Sequence, residues 1–78
     1  MNLIRKSWES YDRDVVPKDA SDSQRLEVRR AFFAGAVAMQ TINNVIAQPE
    51  LPEAVGMKML SAVQAELDDF KVGIGRGN

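Results

Sequence analysis

From Ala31 to Pro49 the chain carries no charged residue, and in a protein of 78 residues that one run restricts the fold more than any other feature. It has about the length of a membrane span. Gln40, Thr41, Asn43, Asn44 and Gln48 interrupt it, however, and polar groups are costly in hydrocarbon. The run therefore reads as a packing helix rather than a membrane segment. Val28, Phe32, Gly35, Met39, Ile42 and Ile46 alternate by four and three residues, the spacing of an a/d seam. Leu26, Phe33 and Val37 make a second line on another face. A helix that is apolar on two sides needs cover on two sides. A chain this short buries only about 60% of the surface its unfolded form exposes. The expectation is a homo-oligomer with Phe32, Gly35, Met39, Ile42 and Ile46 as its packing interface. Ala31, Ala34, Gly35 and Ala38 add small-xxx-small spacings, which let helix backbones come close. A glycine inside a helix costs about 1 kcal/mol relative to alanine. Gly35 is thus expected to mark a close approach, by the third helix or by a second copy.

Punctuation residues set the other elements. Ile4, Trp8, Tyr11 and Val15 form one helical stripe, while Arg5, Glu9 and Arg13 are i,i+4 neighbours of opposite charge. Pro17 pushes Val16 towards an extended backbone, so a first helix is predicted over about 3–14. Ser21 followed by Gln24 has the form of a capping box, and Asp22 suits the positive end of a helix dipole. The second helix is predicted over about 22–47, with Pro49 as its stop. Pro52 and Glu53 open a third over about 52–71, with Leu60, Val63, Leu67 and Phe70 as its seam and Gly73 as its end. The fold class is all-α: a short N-terminal helix packed on an antiparallel helical hairpin, one domain over 1–72, and a flexible glycine-rich tail over 73–78.

Chemistry is bounded as firmly as the fold. There is no cysteine and no histidine, which removes disulfides, thiol nucleophiles, zinc–cysteine sites and imidazole acid–base catalysis. Asp68 and Asp69 are adjacent, so on a helix they point about 100° apart and do not converge with Glu66 on one ion. The terminal GIGRG lacks the complete phosphate-loop pattern. No catalytic residue, metal or cofactor is expected, and the chain is read as a non-enzyme. A net charge of −1 is a poor nucleic-acid footprint. The N-terminal segment lacks the continuous apolar stretch of a signal peptide, so the expected location is the cytoplasm. The candidate ligand or partner surface is Trp8, Tyr11, Arg25, Arg29 and Arg30: guanidinium groups to hold phosphate and rings to stack on a base. Against it stands a plainer arrangement, in which Arg25 pairs with Asp22, Arg30 pairs with Glu27, and the two rings lie in the core.

Trp8-Glu9 with Tyr11, then Val15-Val16-Pro17, then ExRRAFFAGA from Glu27 to Ala36 resemble small helical proteins encoded by tailed phages and prophages. The resemblance covers about half the chain, and it implies a context rather than a set of site residues. Small phage accessory proteins act by binding, so it implies inhibition of a host or defence factor through a host protein partner. The expected architecture is also similar to that of oligomeric phage sponges that sequester cyclic nucleotide immune signals. That likeness gives an alternative role, and a small virion or packaging component is a third.

Overall fold

The computed structural model describes residues 1–75, with side-chain surroundings through residue 73. Three helices follow in order: α1 (Leu3–Asp14), α2 (Asp22–Ile46) and α3 (Glu53–Gly75). There is no strand among the described residues. The all-α expectation holds, with α1 packed on α2 and α3 packed on α2. The bounds of α1 are those predicted. Helix α3 runs on through Gly73, where the sequence pointed to a stop. One internal glycine costs a helix only about 1 kcal/mol, and that alone does not end it. The first residues of the predicted tail are therefore helical, and residues 76–78 lie outside the described residues.

The chain forms two compact units, Met1–Thr41 and the residues from Ile42 onward. The first holds α1 and most of α2. At the end of α1, the amides of Val15 and Val16 both donate to the Tyr11 carbonyl, at 2.8 and 3.3 Å. Val15 leaves helical geometry at φ −121°, ψ −41°. That departure decides which valine enters the core: Val16 is 6% exposed and Val15 is 57% exposed. The stripe that assigned Val15 inward continues the helical period one residue too far. Ala20 donates to the Pro17 carbonyl at 3.1 Å, which closes the turn towards α2. Helix α2 then opens on the reciprocal capping box. The Ser21 amide donates to the Gln24 side-chain oxygen at 2.9 Å, and the Gln24 amide donates to Ser21 Oγ at 3.1 Å.

The second unit joins the last turn of α2 to α3. Leu51 donates to the Gln48 carbonyl at 3.1 Å, and the amides of Val55 and Gly56 both donate to the Pro52 carbonyl at 3.0 Å. Gly56 is buried. A Cβ there would lie 3.7 Å from both Ile46 Cγ2 and Leu51 Cδ2. Those are ordinary van der Waals distances, so Gly56 lies in contact range of the end of α2 and of Leu51, and Met59 and Val63 follow on the same face, half-buried. This shifts the predicted seam. Leu60 stands about 40° round the helix from Gly56, and Leu60, Leu67 and Phe70 are all exposed, Phe70 at 64%.

Candidate functional site

The packing of α1 on α2 is built on aromatic rings. Trp8, at 6% exposed, meets Phe32 edge-on with centroids 5.6 Å apart and planes at 62°. Tyr11 lies 6.2 Å from Trp8 and 5.5 Å from Phe32. Phe32 and Phe33 continue the cluster edge-on at 6.1 Å. Such edge-to-face pairs add to the stabilisation that burial gives. The Arg29 guanidinium sits 4.8 Å from the centre of the Phe33 ring, within cation–π range.

Arg25 is the polar counterpart of that cluster. One of its guanidinium nitrogens donates to the Asp12 carboxylate on α1. Another donates to the Pro17 carbonyl at 3.3 Å. One side chain thereby ties α2 to α1 and to the linker between them. Both partners are about two-thirds buried, so the pair is screened less than a surface ion pair. The Asp22 partner expected for Arg25 from i,i+3 spacing is not the one it takes.

The five residues of the candidate ligand surface thus divide. Trp8, Tyr11 and Arg25 are gathered where α1 meets α2, while Arg29, over the Phe33 ring of its own helix, and Arg30 are exposed. Their arrangement corrects the stacking role given to Trp8: a ring this buried has no free face for a base. It also redirects Arg25, whose two terminal nitrogens each donate within the chain, to Asp12 and to Pro17. The residues that sequence reasoning missed, Asp12, Pro17 and Val16, act across the chain, and no periodicity marks them.

Other ionisable groups pair locally at the surface. Arg13 bonds Asp14 at 3.0 and 3.3 Å rather than Glu9, which takes Arg5 at 3.6 Å. The Arg13 hydrogen bond holds the Asp14 carboxyl below its usual range, and the same bond raises the Arg13 guanidinium. Asp68 accepts from Gln64 at 2.9 Å and faces Lys71 at 3.8 Å. No group of three acidic, cysteine or histidine side chains gathers to hold a metal ion among the described residues. Among the same residues, no helix is long and apolar enough to cross a membrane.

The predicted packing interface also divides. Phe32, Met39, Ile42 and Ile46 are half-buried within the chain. Gly35 is open: a Cβ placed there would meet nothing within 4 Å. Within the first unit, no described residue makes the close approach expected at Gly35. The second apolar line of α2 turns out to border an open groove instead. Ile4, Phe33, Ala36, Val37 and Gln40 line a cavity of about 200 Å³, with Gln40 its one polar member. A second hollow, of about 430 Å³, lies over the linker between Val16, Pro17, Asp19, Ala20, Gln24 and Val28. Neither hollow brings a nucleophile together with a base. What the surface offers is apolar area with a few amides and guanidinium groups beside it. No family model, curated protein or solved structure matches the chain.

Proposed function

We propose that this chain is a non-enzymatic binding protein of the phage accessory type, which acts in the host cytoplasm by occupying a host or defence protein. One observation carries the reading. Among the described apolar side chains only Trp8 and Val16 are buried, while Leu26, Val37, Val55, Met57, Leu60, Leu67 and Phe70 stay exposed. Apolar surface left open on this scale marks an interaction site. The uncharged stretch of α2 and the lack of histidine and cysteine fit a chain that binds rather than reacts.

The test is affinity capture from host cells with the intact chain and with Phe70→Glu, chosen because Phe70 contributes little to the chain's own packing. A host protein retained by the wild type and lost by the variant, with helicity unchanged in both, is the expected result. Equal capture by both, or capture of nothing, overturns the reading. Small molecules extracted from the same captures test the cyclic nucleotide alternative, which would rest on Tyr11, Arg29 and Arg30.

A further inference from the structure

We infer that the groove between α1 and α2 takes an acidic amphipathic helix of a partner protein, whose carboxylates are received by Arg29 and Arg30. The inference rests on the reading above that the chain acts by binding a protein, and it names the chemistry of the segment that docks.

The site lies wholly within the first unit. Leu26, Phe33 and Val37 form an apolar lane along α2, about 16 Å from end to end, or three turns. Leu26 and Val37 are exposed, and Phe33 and Val37 line the groove with Ile4. Arg29 precedes Phe33 by four residues and Arg30 precedes it by three. The two arginines therefore flank the lane, about 40° and 60° round the helix from Phe33 on opposite sides. The Phe33 ring keeps the Arg29 guanidinium at the groove, 4.8 Å from the ring centre. Among the described residues, ion pairs engage Arg5, Arg13, Arg25 and Lys71 and leave Arg29 and Arg30 without a carboxylate. The Glu27 partner that spacing offers Arg30 is not taken. Neither arginine donates a side-chain hydrogen bond among those residues. The nearest carboxylate on that face of α2 is Asp22, two turns before Arg29.

Lane and charges together select the occupant. A purely apolar partner gains nothing from two unpaired guanidinium groups. A phosphate or nucleotide answers the charges but leaves the lane bare, and the half-buried Phe33 ring already carries Arg29. A bilayer surface is flat, whereas the lane borders a concave cavity of about 200 Å³. A helix with apolar side chains at i, i+4 and i+7 and carboxylates beside them meets both demands. Its stripe matches the lane, and guanidinium forks bind carboxylates in bidentate fashion.

Fluorescence anisotropy on the full chain tests this with a labelled helical peptide of about twelve residues, or three turns. The peptide carries Leu at i, i+4 and i+7 and Glu on both flanks. Wild type is expected to bind it with a micromolar Kd that weakens as salt rises. Replacing every Glu of the peptide by Gln is expected to weaken binding at least about tenfold, or about 1.4 kcal/mol. Arg30→Glu is expected to do the same, with helicity unchanged. Lys58→Glu makes the same charge change on an exposed residue of the second unit and is expected to leave the Kd as it is. A peptide with Lys in place of Glu is expected to prefer Arg29→Glu/Arg30→Glu over wild type, an exchange that a merely structural role would not give. Absence of peptide binding overturns the inference, as do equal losses with Arg30→Glu and Lys58→Glu. So does binding of phosphatidylglycerol vesicles or inorganic phosphate in place of the peptide. A dimer in sedimentation velocity that Arg30→Glu disrupts also overturns it, because the face then belongs to a second copy. Host capture lost with Phe70→Glu but kept with Arg30→Glu defeats this inference alone, and peptide binding without host capture defeats the proposed function alone.

Discussion

The residues up to Thr41 and those from Ile42 onward solve the same problem with different means. In the first unit a buried indole, an edge-on aromatic cluster and the Arg25 clamp hold α1 in one place on α2. In the second, Phe70 is the only aromatic residue, and it is exposed. The side-chain hydrogen bonds and ion pairs described there run along α3 itself, between Gln64, Asp68 and Lys71. α3 meets the end of α2 around the buried Gly56, which faces Ile46 and Leu51. The first unit is thus held by directional side-chain contacts, the second by apolar packing around a buried glycine. Directional contacts leave few alternative packings, whereas a smooth helix pair leaves more freedom to re-pack.

The contrast can be broken most sharply at Trp8. Trp8→Ala removes the centre of the aromatic cluster and is expected to cost about 3–5 kcal/mol, read in urea unfolding. Much of the helical signal of the first unit should go with it. Val16→Ala comes next, at about 1.5–3 kcal/mol by loss of buried area. The neighbouring Val15→Ala should stay within about 0.5 kcal/mol, as exposed substitutions do. Equal effects at the two valines would mean that α1 does not end where the paired Tyr11 bonds place it. The two glycines give a third comparison. Gly56→Leu should cost about 1–3 kcal/mol by overpacking against Ile46 and Leu51. Gly35→Ala meets open space and should raise the melting temperature, with a gain of about 1 kcal/mol in helix propensity. Arg25→Ala should cost about 1–2 kcal/mol, less than a fully buried charged bond because the pair keeps some solvent contact. Smallest is the acid response of Asp14. Its folded value is depressed, so its contribution is present above the unfolded value and disappears as pH falls through the folded one. Because the group is fully exposed, Asp14→Asn should barely alter an acid unfolding curve.

Local partners are legible in this sequence, and long-range ones are not. Ser21 and Gln24 name their own partners three residues apart, so the capping box is legible, as are the proline boundaries and most of the α2 seam. Val16 was missed because a periodic stripe assumes that the helix continues, and the chain leaves helical geometry at Val15. Arg25 was paired with Asp22 because spacing favours neighbours, while its actual partner Asp12 depends on how α1 lies on α2. On α3 the largest apolar residues drew attention to Leu60, Leu67 and Phe70. The contact with the end of α2 instead runs through Gly56, with Met59 and Val63 beside it on the same face. Gly35 was expected to mark a close approach by the third helix or by a second copy; among the described residues nothing comes within 4 Å of a Cβ placed there, and a glycine permits close approach without requiring it.

The path of α2 through both units has a consequence for the order in which the protein opens. The segment Ile42–Ile46 belongs to the second unit, yet it is only the last turn of a helix that starts at Asp22. Five residues do not nucleate a helix alone. The second unit therefore borrows its docking turn from the first. In amide exchange, the amides of Ile42–Ile46 should be no better protected than those preceding them in α2. Opening of the first unit should carry α3 with it, whereas fraying of α3 should leave the amides around Trp8 and Phe32 protected.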